Sequence, residues 1–298
     1  MNITPLPNLS LDQSATVIPL FDEVTNTVTY IVKDPHSSSC AVLDSVLDID
    51  YSAGKVSYDN AKKVIDKVRS LNLTVDWIIE SHVHADHLSA APYLQQELGG
   101  KLGISDQITR VQETFGKIFN EGTEFQRDGS QFDQLFADGD TYQIGKLIAT
   151  VIHTPGHTPA CTTHIIGDAC FVGDTLFMPD GGTGRADFPG GDARELYRSM
   201  QRLLTLPDHV RVFVGHDYGP NGRDFAWETS IAEQRNNVHL QQCLTEDEYV
   251  SMRESRDATL ATPKLIIPSL QVNMRGGQFP EDDHGNTQLK VPINAFGE

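Results

Sequence analysis

Hydrophobic and polar positions along the chain assign most of its elements. Residues 17–21 and 28–33 are rich in β-branched and apolar side chains and flank a polar gap at 22–27, which predicts a hairpin. Ala41, Val42 and Leu43 form a short strand ending at Asp44, and 48–57 reads as a polar loop carrying Gly54. Over 58–71, Ala61, Val64, Ile65, Val68 and Leu71 recur at helical spacing, so the segment is an amphipathic helix stopped at Asn72. A strand at 75–79, a short helix at 92–98 ending on Gly99-Gly100, and a helix at 109–120 follow. Residues 125–139 look irregular, and 141–144 and 146–152 alternate as strands around Gly145. Beyond a Gly- and Pro-punctuated stretch at 153–191, which contains a strand at 169–172, the pattern predicts a helix at 193–204 and a strand at 211–214. Further helices are predicted at 227–235 and 246–256. Pro263, Pro268, Pro280 and Pro292 predict that the tail, about 257–298, wraps the surface in extended form.

Strands and helices alternate, a hairpin opens the chain, and no repeat or linker divides it. This pattern predicts a layered α/β fold in one domain over 1–298. A chain of 298 residues buries roughly 75 % of its unfolded surface and needs no covalent staples. Cys40, Cys161, Cys170 and Cys243 lack pairing or CxxC spacing, as in a reducing compartment. Residues 1–14 carry no basic region followed by an apolar core, and no run reaches the ~18 apolar residues of a membrane span. The expectation is a soluble, cytoplasmic protein. The net charge of −18, from 23 basic and 41 acidic side chains, argues against nucleic acid as a partner, because phosphate contacts need a basic face. An anionic substrate would then depend on a few local arginines. Nothing in the sequence specifies the oligomeric state, and a homo-oligomer is compatible with it.

The densest chemistry lies directly after the strand at 75–79, in Ser81-His82-Val83-His84-Ala85-Asp86-His87-Leu88. His82 and His84 are two apart, so an extended segment projects both imidazoles to one side, where they can share a metal. Asp86 and His87 face another direction. Imidazole with carboxylate suits iron, zinc or manganese better than calcium or magnesium. Three more candidate ligands close predicted strands, each after a glycine that lets the backbone turn sharply: His157 in Thr154-Pro155-Gly156-His157, Asp174 after Gly173, and His216 after Gly215.

Taken in this order, HxHxDH, His157, Asp174 and His216 resemble the metallo-β-lactamase superfamily. The resemblance implies an αββα sandwich, two facing mixed sheets covered by helices, with metal in a cleft at one edge. In its dinuclear zinc members, His82, His84 and His157 would hold one metal and Asp86, His87 and His216 the other, with Asp174 bridging. Ser81–His87, Thr154-Pro-Gly-His-Thr-Pro-Ala-Cys161, Gly184-Arg-Ala-Asp-Phe188, His216-Asp-Tyr218 and Pro263-Lys-Leu-Ile-Ile-Pro-Ser-Leu-Gln-Val-Asn-Met-Arg275 are similar to the persulfide dioxygenases. Gly182-Thr183-Gly184-Arg185 departs from a Cys-Gly-Arg form of some members. That narrower resemblance implies one Fe(II) per chain on His82, His157 and Asp174, which would be the catalytic and metal-binding set. The implied reaction is O2-dependent oxidation of glutathione persulfide to sulfite and glutathione. His84, Asp86, His87 and His216 would then orient ligands or carry hydrogen bonds. Spacing does not choose iron over zinc, so a dinuclear zinc thioester hydrolase of the glyoxalase II kind is the alternative.

Resemblance to both families places Tyr218 and Arg185 against the glutathione moiety, where a hydroxyl can hydrogen-bond a peptide and a guanidinium can grip a carboxylate. Arg185 also has Asp187 and Asp180 close in sequence as internal partners. Arg275 and Arg235 are further candidates, on the need for local positive charge. Cys161 reads as a small buried hydrophobe. His153, His164, His239 and His284 have no motif support and read as structural or surface residues.

Overall fold

In the computed structural model, which describes residues 4–243, 245–282 and 284–296, the expected hairpin pairs β1 (Thr16–Asp22) with β2 (Thr27–Lys33) in antiparallel register. Asp22 closes its turn by accepting the N–H of Val24 and of Thr25, and Asn26 takes the left-handed conformation at φ 58°. Residues 1–3 of the segment read for a signal, and 283, 297 and 298 of the tail, lie outside the described residues. The chain continues through β3 (Ser39–Leu43), β4 (Val46–Asp50), β5 (Lys55–Ser57), α1 (Asp59–Ser70), β6 (Thr74–Ile79) and β7 (Leu88–Ser89). Next come α2 (Ala91–Leu98), β8 (Lys101–Ser105), α3 (Ile108–Ile118) and β9 (Gln134–Phe136). The second half has β10 (Thr141–Ile144), β11 (Leu147–His153), β12 (Thr162–Ile166), β13 (Ala169–Phe171), α4 (Ala193–Leu203), β14 (Arg211–Phe213) and β15 (Glu228–Ser230). Four helices end it: α5 (Ile231–Gln234), α6 (Val238–Gln242), α7 (Glu246–Asp257) and α8 (Ile266–Asn273).

Two six-stranded mixed sheets result, ordered β1-β2-β3-β6-β8-β9 and β10-β11-β12-β13-β14-β15. Their facing sides share one apolar cluster, in which Val28, Tyr30, Val32, Ala41 and Leu43 meet Leu147, Ala149, Val151 and Phe171. The alternate positions of the same strands, Ile31, Cys40 and Val42, point outward under α1, α2 and α3. A strand covered on both faces reads as a continuous apolar run, which is why 28–32 shows no polar alternation. On the other side, Ile152, Ile165 and Val212 pack against α4 and α7. This is the expected αββα arrangement. The end of α1 at Ser70, capped by Leu71, and the left-handed Asn72, φ 51°, match the predicted stop. All four cysteines are buried and free, and among the described residues no helix is long and apolar enough to cross a membrane.

Four local expectations are corrected. Residues 48–57 are not a plain loop, because Asp48 to Asp50 pair with Lys55 to Ser57 as the hairpin β4–β5. The irregular 125–139 contains β9, which adds to the first sheet beside β8. The helix expected at 227–235 is split, since Thr229 and its neighbours pair with β14 and helix begins only at Ile231. The tail is not extended throughout: its first residue, Asp257, ends α7, and α8 forms at 266–273. Pro268 stands in the first turn of α8, where a missing N–H breaks no intrahelical bond, so proline there permits a helix. Ile266, Leu270 and Val272 join the core under the first sheet.

From the end of α8, Asn273 binds the loop that carries the histidines. Its Nδ2 donates to the carbonyls of His84 and His87 at 2.9 and 2.8 Å, and its Oδ1 accepts from Ser89 N at 2.8 Å. Replacing this buried side chain leaves several polar groups unpaired. Asn273→Ala should therefore destabilise the protein by about 2–4 kcal/mol in denaturant unfolding. A stability equal to wild type would show that the tail does not hold the loop.

Candidate metal centre

The loop 80–87 leaves the end of β6 and is fastened to both sheets. Ser81 N donates to Asp44 Oδ1 at 2.7 Å, and Ser81 O accepts Thr162 N at 2.9 Å from the opposite sheet. Asp44 is held in the left-handed region, φ 52°, an unusual conformation for a non-glycine residue, which places its carboxylate behind the histidines. His157 follows β11, Asp174 follows β13 and His216 follows β14, so strand ends from both sheets deliver the set. Gly173 shows why a small residue precedes Asp174: its φ is 50°, and a Cβ there would lie 2.7 Å from Ser81 Oγ.

The ligand atoms of His82, His157 and Asp174 all lie within 4.8 Å of one another, and those of His84, Asp86 and His87 form a second such group. His216 Nε2 stands between the groups, 3.3 Å from Asp174 Oδ1 and 3.4 Å from Asp86 Oδ2. His157 Nε2 is 3.5 Å from Asp174 Oδ2. Nε2 of His82 and His87, Nδ1 of His84, Oδ2 of Asp86 and Oδ1 of Asp174 are buried and make no hydrogen bond among the described residues. Such groups are normally paired when buried, so a cluster of bare donors fits a cation. The other nitrogen of each imidazole is engaged. His157 Nδ1 donates to Arg185 O at 2.7 Å, His87 Nδ1 to Leu88 O at 3.2 Å and His216 Nδ1 to Asn26 O at 3.2 Å, while His82 Nδ1 lies 3.0 Å from Ser81 Oγ. These contacts fix the tautomers with the free nitrogen toward the centre.

His84 differs, because its Nε2 faces Asp44 Oδ1 at 3.1 Å and Glu80 Oε2 at 3.3 Å. Burial opposes its charge, but the two carboxylates raise its pKa well above the usual imidazole value. Burial and the neighbouring imidazoles hold His82 well below that value, and burial with His84 pushes His87 down to about 4. His216 is raised despite burial, by Asp174 and Asp86. Burial raises Glu80, whereas Asp44 is lowered, against the effect of burial, by His84. Neutral His82 and His87 are ready to bind a metal without losing a proton. Sequence reasoning assigned no role to Asp44, Glu80 or Asn273. Asp44 and Glu80 each carry one local signal, an acidic residue directly after an apolar strand, and Asn273 lies within the tail motif 263–275.

The remaining candidates are placed unevenly. Tyr218 is 56 % exposed and stacks beside His216 with ring centroids 6.2 Å apart, and Phe177 packs edge-on at 5.8 Å. Arg185 is occupied internally, donating to both Asp187 oxygens at 2.6 and 2.7 Å and to Ala261 O at 2.9 Å. Arg275 is buried, with Nη2 2.8 Å from Glu121 and its guanidinium over Phe125. Arg235 pairs with Asp208 at 2.7 Å. The buried Cys161 thiol accepts the Thr158 N–H, and burial pushes its pKa up to about 12, far from a reactive thiolate. His164 is structural, wedged between Tyr142 and Thr162, and His239 accepts Thr183 N.

Comparison with known proteins agrees with this geometry. The sequence model of the metallo-beta-lactamase superfamily matches residues 22–216. A probable metallo-hydrolase of Burkholderia pseudomallei is 50 % identical over 94 % of this chain and 100 % of its own length. Glyoxylase B2 of Dictyostelium discoideum is 46 % identical over 93 % of this chain and 97 % of its own. The human mitochondrial persulfide dioxygenase ETHE1 is 26 % identical over 87 % of each chain. Among solved structures, ETHE1 from Myxococcus xanthus superposes with a TM-score of 0.70 at 30 % identity, covering 88 % of this chain and 100 % of that one. With the matched region, the layered sheets and the buried donors in agreement, the chain belongs to the metallo-β-lactamase superfamily.

Proposed function

We propose that the protein is a persulfide dioxygenase, oxidising glutathione persulfide with O2 to sulfite and glutathione at one iron held by His82, His157 and Asp174. The observation that carries this reading is the separate grouping of those three donors, two imidazoles and one carboxylate, apart from His84. Iron held by these residues would relay electrons from the persulfide sulfur to O2, with water supplying the third sulfite oxygen, whereas zinc has no redox chemistry. The similarity to the human persulfide dioxygenase ETHE1 supports the choice of reaction and substrate, and ETHE1 from Myxococcus xanthus shares the fold.

The protein's own groups have separable tasks in this reading. Arg185 O and Ser81 Oγ fix the rings of His157 and His82. Asp44 and Glu80 fix His84 through Nε2 and leave Nδ1 toward the centre, where in this reading it lies beside the three ligands. Tyr218, exposed beside His216, is the substrate contact that needs no rearrangement. For Arg185 to grip a substrate carboxylate, its pair with Asp187 would have to open. Arg275, tied to Glu121, acts on the site through the tail rather than by touching substrate.

A second reading has its own support. The group His84, Asp86 and His87, with His216 between the two sets, completes a dinuclear site, and relatives with greater identity carry hydrolase or glyoxylase names. It would make the protein a dinuclear zinc thioester hydrolase.

Purified protein should carry about one iron per chain and consume O2 only when glutathione persulfide is supplied. Two zinc ions per chain, with thioester cleavage and no O2 uptake, would decide for the second reading. The histidines separate the two independently. His82→Ala and Asp174→Ala should empty the site, whereas His84→Ala should fold, keep a substantial share of its iron and lose ~10–100-fold in activity. Iron as low in His84→Ala as in His82→Ala, with an unchanged circular dichroism spectrum, would place His84 among the ligands. Tyr218→Phe removes one neutral hydrogen bond, so KM should rise about 2–10-fold with kcat nearly kept. A fall in kcat at unchanged KM would contradict a binding role.

A further inference from the structure

The Arg185–Ala186 peptide unit is held from both sides. Its carbonyl accepts His157 Nδ1 at 2.7 Å, and its N–H donates to Asp257 Oδ2 at 2.9 Å. Asp257 is the last residue of α7 and is 3 % exposed. Its other oxygen accepts Arg253 Nε at 3.0 Å, and Arg253, 1 % exposed, also donates through Nη1 to Thr183 O at 3.2 Å. The Thr183 hydroxyl meets Tyr249 OH at 2.9 Å, so α7 grips the loop 183–186 at several points. The same loop backs Asp174: Gly184 N donates to Asp174 O at 3.1 Å, and a Cβ on Gly184 would lie 2.4 Å from that oxygen.

A buried ion pair is a poor source of stability, since desolvating both charges offsets their attraction, so Arg253–Asp257 calls for another explanation. A carboxylate accepting a peptide N–H polarises that amide and makes its carbonyl a stronger acceptor. A stronger acceptor at Nδ1 keeps the proton there and makes Nε2 of His157 the better ligand. In the common arrangement the carboxylate touches the imidazole directly, whereas here one peptide unit lies between them.

We propose that Asp257 is a positioning residue for the metal centre, acting on His157 through the Arg185–Ala186 peptide, while Arg253 pairs with the carboxylate oxygen that the peptide does not use. The proposal rests on reading His157 as a metal ligand, whichever metal is native.

The test uses full-length protein stripped with a chelator and reloaded with Co(II), whose visible absorption reports the ligand field and whose affinity is read by chelator competition. Asp257→Asn keeps an oxygen that can accept Ala186 N–H but removes the charge. It should bind Co(II) ~10–100-fold more weakly than wild type and show shifted bands. Arg253→Met should lower thermal stability while keeping most of the Co(II) affinity, because Asp257 still accepts the peptide N–H. The double variant, which leaves no lone buried charge, should regain stability over Asp257→Asn yet stay weak for Co(II). Wild-type affinity and spectrum in the folded double variant would overturn the relay, as would an Arg253→Met defect in binding equal to that of Asp257→Asn. Failure of wild type to take up Co(II) would instead remove the metal reading itself, and the relay with it.

Discussion

The constraint on which this structure depends is the burial of candidate ligand atoms that hydrogen-bond to nothing among the described residues. His82, His84, His87, His157 and His216 are all buried, and Asp174 is buried with them. Leaving a polar atom unpaired in such a place costs about 1–3 kcal/mol, and several do so together here. The fold holds them there because every imidazole is fixed by its other nitrogen, through Ser81, Asp44, Leu88, Arg185 or Asn26. A cation would supply the missing partners. The pinning of 80–87 between Asp44 and Thr162, and the reach of Asn273 from the tail, follow from the same need.

The centre was legible in the sequence to the extent that its chemistry is local. HxHxDH packs four candidate ligands into one loop, and the glycine before each of the other candidates marks a sharp turn at a strand end. The strands covered on both faces were also readable as apolar runs, as at Val28 to Val32. What could not be read arises from contacts distant along the chain. Asp44 beside His84, and Asp257 beneath the Arg185–Ala186 peptide, belong to no spacing pattern. Helix α8 was hidden because Pro268 suggests an extended chain unless its place in the first helical turn is known. The strand at Glu228–Ser230 owes its conformation to pairing with Arg211–Phe213, a tertiary effect that helical periodicity cannot report.

Charge separates the centre from the rest of the molecule. The chain carries −18 overall, yet the site concentrates imidazoles, and nearby arginines are largely committed to internal carboxylates, as in Arg185–Asp187 and Arg223–Asp217. Recognition of an anionic thiol would thus depend on the metal and on neutral donors such as Tyr218 more than on free guanidinium groups. The same donors divide in space into the group His82, His157 and Asp174 and the group His84, Asp86 and His87, and the two metal readings differ in whether the second group also holds a metal.

That division can be examined directly by anomalous diffraction from crystals of the protein as purified, collected on both sides of the iron and zinc absorption edges. The account predicts one peak, at the iron edge, bounded by His82 Nε2, His157 Nε2 and the Asp174 carboxylate, with His84 outside bonding distance. Two zinc peaks sharing Asp174, the second ligated by Asp86, His87 and His216, would contradict it.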